Sequence, residues 1–208
     1  MGIFFGVLSS CKTSNPVHSS GNKSTVFKES LAIDNDGNKY PVKVLLDGKL
    51  WMTHNLNSNI PNSYCYDDVD KNCQGYGRLY TWESAIEGCK LLGEGWRLPT
   101  NIEWQKLTIV YGGAAGDSAA IRRKSYFTLL FSDTAGFNAL LGGGRDPDGH
   151  YSRRNAHGFY WAATENDTAT AWFCNFANGS QAIYQQQEGE KNRAFSVRCV
   201  KNIDSLKR

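Results

Sequence analysis

Charge of one sign is missing from this chain. Its 23 Lys and Arg stand against 20 Asp and Glu, a net +3 over 208 residues. A nucleic-acid footprint would show a basic stripe and a domain pI above about 9, and neither is present, so no nucleic-acid partner is expected. No run approaches the ~18 apolar residues that a membrane-spanning helix needs. Proline is scarce, with five residues, and histidine scarcer, with four at positions 18, 54, 150 and 157. No C-x-x-C or H-x-x-x-H offers a zinc site, and no Gly-x-Ser-x-Gly offers a nucleophile elbow. Gly142-Gly143-Gly144-Arg145 lacks the Lys-Ser/Thr of a phosphate loop. Glycine (21 residues) and aromatics (12 %) are plentiful, and 40 % of the residues are apolar. That apolar share can supply a core for one large domain, which excludes disorder and coiled coil. Short strands, tight turns and a Trp/Tyr-rich interior are expected.

The N-terminus reads as an address. A short apolar run from Ile3 to Leu8 ends in Leu8-Ser9-Ser10-Cys11, which is similar to the lipobox of bacterial lipoproteins. No Lys or Arg precedes the run. On this reading residues 1–10 are a signal segment and Cys11 is lipidated. The anchor then places the protein on a membrane of the bacterial cell envelope, since acyl chains contribute about 0.8 kcal/mol per buried CH₂. Residues 11–30 are rich in Ser, Thr, Asn and Gly without apolar periodicity, the composition of a flexible tether. A domain over 31–202 and a tail over 203–208 complete the expected organisation.

Six cysteines occur, at 11, 65, 73, 89, 174 and 199. With Cys11 acylated, five remain, so at least one thiol is unpaired. Cys65 and Cys73 bracket a polar loop, and an exported context favours joining them. Closing so short a loop contributes roughly 2–3 kcal/mol in the chain-entropy picture. The spacing leaves the pairing among Cys89, Cys174 and Cys199 open.

Two strands are expected over 31–36 and 39–46 around Asp36-Gly37, and a short one over 49–52. Asp34-Asn-Asp36-Gly-Asn38 resembles the start of a calcium loop, but position twelve is Leu45 rather than Glu, so a hairpin turn is expected. Trp82, Ala85, Ile86 and Cys89 recur at helical spacing. Thr100-Asn-Ile-Glu103 is a capping box that opens a second helix, carried by Trp104, Leu107 and Tyr111 and stopped at Gly112-Gly113. A third helix is expected over 118–124. Short strands are expected over 137–145, 150–153, 158–164, 169–176, 181–187 and 193–200, separated by turns such as Asp148-Gly149 and Asn178-Gly179. The result is an α+β chain: two to three helices in the first half and an antiparallel meander in the second.

Four stretches in order carry a resemblance: Trp51-Met52-Thr-His-Asn55-Leu56, Gly77-Arg78-Leu79-Tyr80-Thr81-Trp82, Gly95-Trp96-Arg97-Leu98-Pro99-Thr100 and Phe195-Ser196-Val197-Arg198-Cys199-Val200. Gly136-Phe137-Asn138-Ala139-Leu140 and Tyr160-Trp161 through Thr164-Glu165 fit as well. The chain resembles the Fibrobacter succinogenes major paralogous domain, found in exported lipoproteins and surface proteins of Bacteroidetes-type bacteria. That family is similar in turn to the C-type-lectin-like fold and to the formylglycine-generating sulfatase-modifying group. The resemblance implies a lectin-like domain in which a first-helix cysteine pairs with one on the last strand. Cys89 and Cys199 would then be joined, leaving Cys174 as the free thiol.

The same resemblance poses two chemical questions. Formylglycine-generating enzymes bind copper through two closely spaced cysteines, whereas Cys174 and Cys199 lie 25 residues apart here. No catalytic residues are therefore expected, and the copper oxidase stands as an alternative. Lectin-type calcium sites use an acid-Pro-acid triplet followed by an Asn-Asp pair. Asp146, Asp148, Asn166 and Asp167 match that spacing, so calcium is the one cofactor the sequence admits, although both stretches also read as ordinary turns. The binding candidates are Arg145, Asp146, Asp148, His150, Tyr151, Arg153, Trp161 and Glu165, with Arg154 and Tyr160 beside them. Such rings stack on sugars, while the charged groups bond hydroxyls or carbonyls. A non-enzymatic, lipid-anchored binding module for an envelope or extracellular glycan or protein is expected, with a purely structural envelope component as a further alternative.

Overall fold

The computed structural model describes residues 1–2, 30–112, 118–132 and 135–203. Residues 3–10 of the expected signal segment, Cys11, the tether up to residue 29 and residues 204–208 lie outside them.

Strands β1 (Ser30–Ile33) and β2 (Lys39–Val44) form a hairpin, and β3 (Lys49–Met52) follows β2 antiparallel. The turn between β1 and β2 is organised by Asp34. Its carboxylate accepts the backbone N–H of Asp36 (3.0 Å) and of Asn38 (2.9 Å), and the hydroxyls of Tyr40 (2.6 Å) and Ser58. Those donors hold the Asp34 pKa below its ordinary value even though burial alone would raise it. The acidic stretch thus serves the hairpin. The C-terminal strand β11 (Val200–Asn202) closes the sheet against β3, giving the order β1-β2-β3-β11.

The polar loop expected between Cys65 and Cys73 is structured, as are its flanks. Together they hold β4 (Ser63–Tyr64), a single 3₁₀ turn over Tyr66–Asp68, α1 (Asp70–Tyr76) and β5 (Leu79–Tyr80), with β4 and β5 paired. The Cys65–Cys73 disulfide joins the start of the 3₁₀ turn to the middle of α1. Gly77 ends the helix at φ +73, where a Cβ would lie 2.7 Å from both Asn55 Cβ and the Leu56 carbonyl. Only glycine fits so close a crossing.

Three further helices follow among the described residues: α2 (Trp82–Lys90), α3 (Asn101–Gly112) and α4 (Ala119–Phe131). The α3 capping box forms in both directions. The Glu103 backbone N–H donates to Thr100 Oγ1 (3.2 Å), and the Thr100 N–H donates to Glu103 Oε2 (2.8 Å). Helix α4 outruns the expected 118–124 because Ile121, Ser125, Tyr126, Leu129 and Leu130 keep a buried face in step to Phe131.

The second half is antiparallel. Strands β6 (Gly144–Arg145) and β7 (Tyr151–Ser152) make a small hairpin, while β8 (His157–Glu165), β9 (Thr170–Ala177) and β10 (Ala182–Glu190) form a three-stranded sheet in the order β10-β9-β8. Two expected strands are corrected. Residues 137–143 are irregular, pinned where Tyr160 Oη accepts the Leu140 N–H (2.7 Å) and donates to the Leu140 carbonyl (2.8 Å). Residues 193–199 make single bridges, Arg145 to Ala194, Tyr80 to Phe195 and Tyr160 to Ser196, because the segment crosses between sheets instead of extending one.

Among the described residues the interior holds two large apolar groups and a small third one of Tyr66, Leu79 and Ala194, against which Tyr64 and Tyr151 pack. Tyr80, Trp82, Trp96, Trp161, Phe173 and Phe195 fill one, where the Cys89–Cys199 disulfide ties α2 to the residue before β11. Trp51, Trp104, Tyr126, Phe137, Tyr160 and Phe176 fill the other, with neighbouring ring centroids 5.1 to 6.5 Å apart. Edge and tilted ring pairs of this kind add about 0.5–1.5 kcal/mol each beyond their area.

Candidate binding site

The motif residues build scaffold. Arg97 grips Glu103 through two parallel bonds (2.7 and 2.6 Å), and Lys49 Nζ reaches the same carboxylate at 3.0 Å. Burial alone would raise the Glu103 pKa. The bonds from Arg97, the Thr100 backbone and Lys49 outweigh it and bring the value down to about 2. Arg198 is fully buried. It donates to Asn55 Oδ1 (2.5 Å), the Phe137 carbonyl (2.6 Å) and the Asn138 carbonyl (2.7 Å), with its guanidinium 4.8 Å above the Phe137 ring. Burial lowers its pKa to about 10, so it stays charged at neutral pH and clamps the irregular 137–138 segment to β3's exit.

The β6–β7 hairpin meets the disulfide-bounded segment in a ladder of rings and guanidiniums. The Arg145 guanidinium lies 4.0 Å from the Tyr64 ring centre and 5.7 Å from that of Tyr151. Tyr151 packs on Tyr66 at 5.2 Å. Arg154 covers Tyr66 at 4.5 Å and reaches Tyr76 at 6.0 Å. Three hydrogen bonds or ion pairs fix the edges. Tyr151 Oη donates to Asp68 (2.6 Å), Tyr76 Oη donates to Asn155 Oδ1 (2.8 Å), and Arg193 pairs with Asp146 at 3.4 Å. Burial and the Asp68 acceptor push the Tyr151 hydroxyl up to about 12, so it remains a donor throughout the physiological range. Gly143 lies behind the hairpin at φ +69, where a Cβ would collide with the Ser152 carbonyl.

The structure sorts the sequence-derived candidates. Arg145, Asp146 and Tyr151 come together on this face. Asp148 caps its own turn by accepting the His150 N–H at 3.0 Å, and His150 is exposed beside it. Arg153 sits at φ +68 in the turn before β8, with Nη1 3.5 Å from His157 Nε2. Trp161 is corrected from surface to core. It is 0 % exposed, its indole N–H donates to the Tyr80 carbonyl (2.8 Å), and Phe195 lies 4.5 Å from its ring, so no ligand can stack on it. Tyr160 is buried likewise. Glu165 stands at the far end of β8, paired with Lys191 at 2.6 Å.

Asn166 and Asp167 occupy the β8–β9 turn. Asp167 accepts the N–H groups of Ala169 (2.8 Å) and Thr170 (2.7 Å), while Asn166 donates to Thr170 Oγ1 (2.9 Å). Asp146 and Asp148 belong to the β6–β7 turn. Among the described residues, no three His, Cys, Asp or Glu side chains gather as a metal site. Cys174 is free and buried, its thiol pKa raised by burial, while Cys199 is held by Cys89.

Tyr64, Tyr66, Tyr76, Asp68 and Arg193 are the site residues that sequence reasoning missed. The available signal was Tyr64-Cys65-Tyr66, two tyrosines beside a cysteine predicted to be bridged. No helix of the described residues is long and apolar enough to cross a membrane.

No curated protein and no solved structure matches the chain. The family model of the Fibrobacter succinogenes major domain matches residues 42–201, a span that takes in the Arg97–Glu103 and Asn55–Arg198 clamps and the whole tyrosine–arginine face. The chain belongs to the Fibrobacter succinogenes major domain family.

Proposed function

We propose that this chain is an exported protein, held by a lipid on Cys11 to a membrane of the bacterial cell envelope, whose domain binds an envelope or extracellular glycan or protein without catalysis. The carrying observation is the ladder Tyr64–Arg145–Tyr151–Tyr66–Arg154–Tyr76. Tyr and Arg deliver the largest energies at recognition surfaces, because each presents a large, stiff, partly polar area. Here their mutual stacking and the Cys65–Cys73 disulfide fix them in advance, which lowers the ordering cost on binding.

The scaffold reads as C-type-lectin-like, a form similar also to the formylglycine-generating group. That reading draws on the Cys89–Cys199 bridge between a helix of the first half and the residue that leads into the last strand. Copper oxidase chemistry would require two neighbouring thiols, and Cys199 is engaged elsewhere, so the non-enzymatic reading is favoured. Calcium is not needed for the proposed binding, since the acidic turn residues are occupied by N–H groups and Arg193.

The test uses the full chain with Cys11→Ser, offered to a glycan array and to envelope extracts, with and without chelator. Binding that survives chelator and drops on Tyr151→Ala or Arg145→Ala supports the reading. No enrichment over a denatured control overturns it in favour of a structural envelope component.

A further inference from the structure

The tyrosine–arginine ladder ends on Tyr76, and a cavity of about 190 Å³ begins there. Tyr76 shares its lining with Asn38, His54, Asn57, Gln74 and Leu140 among others. The cavity lies between the β1–β2 turn, the exit of β3 and the C-terminal end of α1, and its lining falls wholly within the described residues. At ~30 Å³ per water it has room for about six. A drug-sized ligand needs ~300–1,000 Å³, so the cavity suits a single ring.

Two lining groups are already spent on the scaffold. Tyr40 Oη donates to Asp34 (2.6 Å) and accepts the Asn57 N–H (3.1 Å). Asn55 accepts from Arg198 and donates to the Tyr76 carbonyl (2.7 Å). Other groups keep bonding capacity. Asn38 spends Nδ2 on Asp34 (2.8 Å), which leaves its oxygen to accept. Asn57 Oδ1 is shielded from solvent and has no hydrogen-bond partner, and turning the amide over would strand Nδ2 instead. Gln74 and His54 are exposed at the rim. Burial and the Arg198 charge lower the His54 pKa, so its ring is neutral at pH 7, with one nitrogen donating and the other accepting. Helix α1 adds acceptors, because the last carbonyls of a helix have no partner inside it. The Gly77 N–H takes that of Cys73 (2.9 Å) and Asn55 that of Tyr76, which leaves those of Gln74 and Gly75 at the cavity's edge.

The charge pattern selects among ligands. Among the described residues no carboxylate lines the cavity, whereas Lys39 does, and Arg198 is near enough to act on His54. A cation is therefore disfavoured. The carbonyl end of α1 is the negative pole of its dipole, which disfavours an anion. An apolar group would leave the carboxamides unmatched. A neutral group whose polar atoms each donate and accept fits, and vicinal hydroxyls are such a group. A peptide amide fits less well, since it donates and accepts on separate atoms. A pyranose supplies the hydroxyls together with a C–H face for the Tyr76 ring and Leu140. We propose that this cavity takes one neutral pyranose unit of the ligand that the tyrosine–arginine face binds. The inference rests on the binding role proposed for that face and narrows it: the partner is a glycan, and it runs past Tyr76.

The test titrates neutral gluco-, galacto- and manno-configured sugars, from monosaccharide to hexasaccharide, into the full chain carrying Cys11→Ser. Calorimetry reads affinity, and the imidazole NMR resonance of His54, assigned with His54→Gln, reads this cavity. At least one series is expected to shift that resonance and to gain about tenfold in affinity once it is long enough to reach the ladder as well. Asn57→Leu should weaken binding about tenfold with an unchanged unfolding midpoint, because it removes a polar end that has no match in the protein. Tyr151→Ala should weaken the hexasaccharide, while the monosaccharide still shifts His54. The cavity assignment fails if no sugar shifts His54 at millimolar concentration, or if the shift survives in both Asn57→Leu and Gln74→Ala. It fails equally if a glycan, or an envelope protein indifferent to every sugar, binds through Tyr151 without disturbing His54, a result that would leave the proposed function standing. Loss of both the His54 shift and all Tyr151-dependent binding overturns the two together.

Discussion

Glu103 accepts from Arg97 through both oxygens, from Lys49 and from the Thr100 backbone, which brings its pKa from an ordinary 4.5 to about 2. The folded value lies below the unfolded one. Its contribution is therefore complete above about pH 4.5 and is lost as pH falls through the folded pKa near 2. Solvent screening at the partly exposed Arg97 leaves about 2 kcal/mol. Glu103→Gln is expected to lose that amount in urea unfolding at pH 7 and to lose almost nothing at pH 2. A difference independent of pH would refute the ion-pair account. Arg198 makes the complementary case, a buried charge held by carbonyls and one carboxamide. Arg198→Met strands Asn55 Oδ1 and the carbonyls of Phe137 and Asn138. A cost of about 3–5 kcal/mol is expected, read as a lowered urea midpoint. Arg198→Lys should not restore it, because a single ammonium cannot reach acceptors spread over a planar fork.

At the scale of elements, α1 shows how the proposed binding face is held. The seven residues Asp70–Tyr76 are too few to be helical alone, and Cys65–Cys73 ties them to the 3₁₀ turn carrying Tyr66. Cys65→Ser with Cys73→Ser is expected to cost about 2.5 kcal/mol. Partner affinity should fall more than after a substitution of equal cost in the core, because Tyr66 and Tyr76 lose their fixed spacing. Calorimetric unfolding beside a binding titration compares the two losses. Legibility in the sequence follows the same physics. Helices α2 and α3 could be read because their period and caps are local, and the β1–β2 hairpin because Asp36-Gly37 states its turn. Helix α1 was illegible because Asp, Asn and Gly signal a loop, and only the surrounding disulfide and Gly77 make a helix of them. Trp161 misled because alternation identifies a strand but not which face is covered. The tyrosine–arginine face stayed hidden because Tyr64 and Arg145 are 81 residues apart in the chain, and no local pattern relates them.

Across the molecule, Cys89–Cys199 spans 110 residues and joins α2, in the helical half, to the residue just before the strand that closes the first sheet. In the chain-entropy picture a loop of that length contributes about 4–5 kcal/mol. Single domains have only about 5–15 kcal/mol in total, so this bridge accounts for a large share of stability. The buried Cys174 is the internal control, its thiol shut away by burial. With Cys11→Ser, the oxidised native protein should show no thiol to Ellman's reagent, one in urea, and five after reduction. Reduction should then make the chain protease-sensitive and lower its urea midpoint well beyond the loss of Cys65–Cys73 alone. The same fall should follow Cys89→Ser with Cys199→Ser, but not Cys174→Ala. A midpoint indifferent to reductant would mean that aromatic packing alone carries the fold. The proposed envelope location, which an oxidising compartment would suit, would then lose its physical support.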